Sequence, residues 1–62
     1  MANPWARIRL QYPMWSFRKE QIDTGTGFVT VYEAVREGYD RITSTSLLEF
    51  GLKIEEAERE HR

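Results

Sequence analysis

The residue best suited to acid–base chemistry is His61, the single imidazole of a 62-residue chain that has no cysteine. Because it stands next to the last residue, and no second histidine or thiolate could share a metal ion with it, we expect a frayed tail there. The carboxylates of the same region spread around a helical circumference instead of converging: Glu55, Glu56, Glu58 and Glu60. The spacing therefore predicts a solvated surface, and we expect no catalytic residue, no metal site and no enzyme.

A second candidate for chemistry is Asp23-Thr24-Gly25, which resembles the catalytic tripeptide of aspartic proteases. Those enzymes need two aspartates that share a proton, whereas the tripeptide occurs here once, in a chain too short for a protease lobe. Together with Gly27, these are the residue types of a tight hairpin loop. No helix follows this glycine-rich stretch, so it also lacks the free amides of a phosphate-binding loop. We expect a turn, with no cofactor and no small-molecule substrate.

The secondary structure that would position any site is predicted most clearly near the C-terminus. Ser46 followed by Glu49 is a capping box, and an apolar stripe then recurs at helical spacing, which predicts a helix over residues 47–60. Its apolar positions are Leu47, Phe50, Ile54 and Ala57, widened by Leu48 and Leu52. Three acid–base pairs four residues apart should support it on the solvent side: Glu49 with Lys53, Glu55 with Arg59, and Glu58 with Arg62.

The middle of the chain predicts an antiparallel meander. Residues 15–22 begin with period-two alternation and residues 28–35 are rich in β-branched and aromatic types, with a short third run over 41–44. Residues 4–12 fit a strand by alternation, yet the Asn3-Pro4 start signal favours a helix. We therefore predict an α+β fold (αβββα) as one small domain over residues 1–62: a three-stranded antiparallel meander with a short N-terminal and a longer C-terminal helix.

The second strand is apolar on both faces, which is unusual for a sheet covered on one side only. Phe28, Thr30, Tyr32 and Ala34 alternate with Val29, Val31, Glu33 and Val35. We expect something to cover the second face: another copy, a partner protein or the N-terminal segment. β-Branched residues are also good strand formers, which is the competing explanation. The predicted contact residues for a protein partner or a homodimer are Arg18, Ile22, Val29, Val31 and Val35.

The net charge of −1 hides an asymmetry. Residues 1–19 carry four bases and no acid, while residues 20–62 carry five bases and ten acids. Such a split indicates either an acidic partner for the basic segment or attraction between the two parts within the fold. DNA or RNA binding on the sheet is the alternative function, through Arg18, Lys19, Arg36 and Arg41. The negative total and the acidic last helix weigh against it, since phosphate binding requires a positive excess.

The hydropathy pattern contains no apolar run of about 20 residues, the length that a membrane span requires. The first residues, Met1-Ala2-Asn3-Pro4, do not have the pattern of a secretory signal. We therefore expect a cytoplasmic protein with no membrane partner.

Three short motifs occur along the chain: Tyr12-Pro13-Met14-Trp15, Gly25-Thr26-Gly27 and Ser46-Leu47-Leu48-Glu49. With the order of helix, meander and helix, they resemble small uncharacterised proteins of actinobacteria and their phages. The strands and last helix are also similar to the half-domain by which HicB-like antitoxins pair with a toxin. Double-stranded-RNA-binding domains share the element order, but Ser46-Leu47-Leu48-Glu49 replaces their Lys-Lys helix start. The resemblance implies a non-enzymatic interaction module, such as a phage-encoded or antitoxin-like inhibitor or regulator.

Overall fold

The computed structural model describes residues 3–61 and confirms the predicted αβββα order. The elements are α1 (Pro4–Gln11), β1 (Ser16–Asp23), β2 (Phe28–Val35), β3 (Ile42–Ser44) and α2 (Leu47–Glu60). The three strands form one sheet in the order β1-β2-β3, and both neighbouring pairs are antiparallel. None of the helices between residues 3 and 61 has the length and apolar character needed to cross a bilayer.

The N-terminal segment is a helix, because its start signal outweighs the strand-like alternation. The side chain of Asn3 accepts a hydrogen bond from the amide of Ala6 at 2.8 Å, and Pro4 occupies the first turn. Proline has no amide to lose there, and its φ already suits a helix. The helix ends at Gln11, and the amide of the capping residue Tyr12 still bonds to the carbonyl of Ile8 at 3.0 Å. The following Pro13 disfavours continuation of the helix.

The second helix starts where the capping residue predicts, but only one of the two hydrogen bonds of the capping box is formed. The Ser46 hydroxyl accepts from the amide of Glu49 at 3.4 Å. Glu49 was expected to reach back to the amide of Ser46, and that amide instead donates to the Ser44 hydroxyl at 3.1 Å. The end of β3 thus completes the cap, which joins strand and helix without a linker.

The hairpin between β1 and β2 confirms that Asp23-Thr24-Gly25 forms a turn. The Asp23 carboxylate accepts from the amide of Gly25 at 2.8 Å, and the amide of Thr24 donates to the carbonyl of Gly27 at 2.9 Å. Gly25 has φ 89°, a conformation that residues with a side chain rarely adopt. The aspartate is therefore engaged by the backbone of its own turn.

Both helices pack against one face of the sheet. Phe50 and Ile54 of α2 are fully buried against Ala34 of β2 and Ile42 of β3, with Trp15 closing the core. Phe50 lies at its centre, with ring centroids 6.2 Å from Trp5, 6.2 Å from Phe17 and 5.8 Å from Tyr32. One aromatic side chain therefore links α1, β1, β2 and α2.

Candidate interaction surfaces

The open face of the sheet, the one turned away from the helices, collects all five predicted partner-binding residues. Successive side chains of a strand point to opposite faces, and residues paired across an antiparallel ladder share a face. Phe17 and Ala34 are paired and pack in the core, so their neighbours point outward. The outward set comprises Arg18, Ile22, Val29, Val31 and Val35.

Neither described helix covers the aliphatic side chains of the open face, where Val29 and Val31 are half-buried and Ile22 and Val35 are exposed. Ile22 pairs with Val29, and both Ile22 and Val35 expose more than 40% of their area, at 45% and 42%. The molecule is only 16 Å thick along its shortest axis, the depth of one sheet and one helical layer. The N-terminal segment, one of the three covers considered, packs on the other face through Trp5 and Phe17.

The charges on the open face balance one another. Arg18 pairs with Glu33 across the ladder, and Arg41 Nε lies 3.7 Å from the Glu33 carboxylate. Glu20, paired with Val31, adds the second acid. Two bases and two acids thus frame the aliphatic side chains, and this surface carries no positive excess to attract a phosphate backbone.

The four bases considered for nucleic-acid binding are not brought together. Arg18 lies on the open face, whereas Lys19 lies on the helix side with its ammonium 5.5 Å from the centre of the Trp5 ring. Arg36 donates to Glu58 at 3.1 Å and stacks 4.6 Å from the Tyr39 ring, and Arg41 faces Glu33. Strand alternation and these ion pairs therefore divide the predicted basic surface.

The carboxylate of Glu58, for which the sequence predicted a different partner, joins α2 to the start of β1 and the end of β2. Glu58 was expected to pair with Arg62, which lies outside the described residues. Instead Glu58 Oε2 accepts from the indole Nε1 of Trp15 and from Arg36 Nη1, each at 3.1 Å. No local pattern signals this contact, because Trp15 and Glu58 are 43 residues apart.

Replacing Glu58 with alanine should lower the free energy of unfolding by about 1–3 kcal/mol, because the largely buried Trp15 N–H loses its acceptor. Glu55→Ala is the matched control in the same helix. Among residues 3–61, Glu55 forms an ion pair with Arg59 alone, at 3.1 Å on the surface, so its loss should cost less than about 0.5 kcal/mol. Urea denaturation of the two variants checks this, and equal losses would contradict the assignment.

Burial raises the pKa of Tyr12, and the negative charges of Glu55 and Glu58 raise it further. Since the folded state favours the neutral phenol, the unfolded chain ionises first, and stability should fall as the pH rises above about 10. A pH titration of phenolate absorbance checks this: subtracting the curve of Tyr12→Phe from that of the wild type leaves the ionisation of Tyr12. We expect this ionisation to lie at higher pH than that of free tyrosine. Ionisation at the pH of free tyrosine would show that Tyr12 is solvated.

The ring of His61, for which we expected a frayed tail, lies against Tyr39 with the two centroids 4.0 Å apart. Tyr39 also packs on Trp15, with centroids 5.0 Å apart. Among the residues that the structure describes, no group of three or more potential metal ligands converges.

A second apolar surface lies between the helices, where the sequence predicted buried positions. Leu48 and Leu52 were expected to widen the docked stripe of α2, but they are 78% and 57% exposed. They border a groove of about 490 Å³ against α1 whose floor includes Ile8 and Gly51. The first turns of α2 thus carry more apolar surface than α1 covers.

The chain was compared with protein-family models, with curated proteins and with solved structures. No family model, curated protein or solved structure matches it.

Proposed function

We propose that this protein is a small non-enzymatic interaction module whose open sheet face binds the same face of a second copy. The observation that carries the proposal is the group of aliphatic side chains on that face, in which Ile22 and Val35 are exposed and Val29 and Val31 are half-buried. In a domain this small, folding buries only about 60% of the chain's surface, and association is a common source of further burial.

Charge favours a second copy over a nucleic acid as the occupant. A twofold axis brings a face against itself, so a surface with equal numbers of acids and bases can pair each charge with its opposite. The open face meets this condition with Arg18 and Arg41 against Glu20 and Glu33. A polyanion would meet two carboxylates there and gain no net attraction.

The size of the open face predicts weak association. The eight-residue strands β1 and β2 span about 26 Å and the three-residue β3 about 10 Å, which at about 4.8 Å per strand gives a footprint of roughly 300 Å² per copy. Stable protein complexes bury about 800 Å² per partner. The dimer should therefore exchange with the monomer at micromolar to millimolar concentrations.

Sedimentation equilibrium of the full chain, from about 10 μM to about 1 mM, tests the proposal. We expect the apparent mass to rise from one chain towards two. A single-chain mass throughout this range would overturn the proposed dimer.

The resemblance to small actinobacterial and phage proteins and to HicB-like antitoxins leads to two further predictions. They are an origin in actinobacteria or their phages, and action as an antitoxin-like inhibitor. DNA or RNA binding also stays a prediction, and retention on heparin at low salt checks it. Retention that fades steeply as salt rises would favour the nucleic-acid alternative.

A further inference from the structure

We propose that the outer edge of β1 binds an extended acidic peptide of another protein as a fourth strand of the sheet. The inference does not depend on the proposed dimer, which uses the face of the sheet and not its edge. It rests on the free backbone of β1, on unpaired bases beside it and on an adjoining cavity.

The edge of β1 offers a regular row of free backbone groups. In an antiparallel ladder, hydrogen-bonded pairs alternate with pairs whose N–H and C=O groups point away. The bond from the Thr24 amide to the Gly27 carbonyl sets the phase of this alternation. It follows that β1 residues with even numbers bond to β2, while Phe17, Lys19 and Gln21 present their backbone groups outward. Within residues 3–61, no backbone hydrogen bond to these groups from outside the sheet is formed.

Two bases beside the edge of β1 form no ion pair within residues 3–61. Lys19 belongs to the strand and lies on its helix side, and Arg9 of α1 lines the same cavity as Phe17. The ion pairs of the described residues join Arg36, Arg41 and Arg59 to acids. Arg18 lies on the other face of the strand, where Glu33 is its ladder partner. Lys19 and Arg9 therefore leave positive charge at this edge for an acidic partner.

A cavity lies beside this edge, between α1 and the start of β1. It has a volume of about 530 Å³, and it is lined by apolar and aromatic residues together with one arginine: Ala6, Arg9, Leu10, Pro13, Trp15 and Phe17. A strand added next to β1 would direct alternate side chains to the helix side of the sheet. One of them, opposite Phe17, would enter the cavity.

The alternation of donors and acceptors distinguishes a peptide from a nucleic acid. Outward N–H and C=O groups of an edge strand are matched by the backbone of another strand, as in β-augmentation. Phosphate oxygens only accept hydrogen bonds, so they would leave the carbonyls of Phe17, Lys19 and Gln21 unmatched. Together with the bases, this pattern specifies an extended chain rich in aspartate or glutamate.

The test uses the full chain and a synthetic peptide of alternating glutamate and valine, as long as the eight residues of β1. We expect the peptide to slow hydrogen exchange at the amides of Phe17, Lys19 and Gln21, whereas Arg18 and Glu20 are already bonded to β2. A lysine–valine peptide should bind at least about fivefold more weakly. N-methylation of the peptide at alternate residues should remove binding, because it removes the backbone donors.

One protein variant separates the edge from the face. Gln21→Pro removes an outward N–H without removing a bond to β2, a position where edge strands accept proline. We expect the affinity for the peptide to fall to about one fifth or lower, while dimerisation stays unchanged. No binding of the acidic peptide, equal binding of the N-methylated one, or tighter binding of an oligothymidylate would each overturn the proposal.

Discussion

Phe50→Ala is expected to leave most molecules unfolded at room temperature. The side chain is fully buried, and its ring contacts Trp5, Phe17 and Tyr32 from three other elements. Truncating a buried phenylalanine costs about 3–5 kcal/mol, since the transfer energy is lost and a cavity remains. The single core of a domain this small rarely supplies more than about 3–5 kcal/mol of stability. One substitution therefore offsets nearly the whole free energy of unfolding.

Leu48→Ala is the matched control for this prediction. It removes a large apolar side chain from the same helix, but the leucine is 78% exposed. We expect its effect on the free energy of unfolding to stay within about 0.5 kcal/mol. Urea denaturation followed by circular dichroism compares the two variants. A cooperative transition of Phe50→Ala at the wild-type midpoint would mean that the aromatic core does not hold the helices to the sheet.

Val31→Glu is expected to abolish self-association while the monomer stays folded. Val31 lies between Val29 and Glu33 on the open face of β2 and pairs with Glu20 of β1. A third carboxylate beside Glu20 and Glu33 destroys the charge balance, and the dimer would have to desolvate it. We expect the dissociation constant to rise at least about tenfold. Because like charges would then face each other in the ladder, a loss of up to about 1 kcal/mol in monomer stability is also expected.

Gln21→Glu controls for the added charge itself. Gln21 is an exposed residue of β1 whose side chain lies on the helix side, so the same charge enters the same sheet without touching the open face. Sedimentation equilibrium should show a monomer for Val31→Glu and wild-type association for Gln21→Glu. Equal effects of the two substitutions would place the self-interaction elsewhere.

Local patterns predicted the elements of the fold well, because capping and periodicity are properties of short segments. Ser46 correctly marked the start of α2, and Asn3-Pro4 decided for a helix over a strand. The five residues predicted to contact a partner also share one face, since strand alternation alone determines it. The predicted nucleic-acid surface did not follow this alternation, because it included both Arg18 and Lys19. Adjacent residues of a strand point to opposite faces, so these two cannot share one surface.

Contacts between distant segments could not be read in this way. Glu58 has a base four residues later in the sequence. No pattern in the neighbouring residues indicates that its carboxylate instead accepts hydrogen bonds from Trp15 and Arg36. Leu48 and Leu52 have the spacing of buried residues, but α1 is too short to cover them. Such outcomes depend on how two helices share one sheet face, which is decided by tertiary packing.

The most direct test of the proposed dimer is an isotope-filtered nuclear Overhauser measurement on a concentrated mixture of labelled and unlabelled chains. It detects only contacts between different copies. We predict intermolecular contacts among the methyl groups of Ile22, Val29, Val31 and Val35, and none from Leu48 or Leu52. Contacts from the leucines alone, or no intermolecular contact at millimolar concentration, would contradict the claim that the open sheet face is the interaction surface.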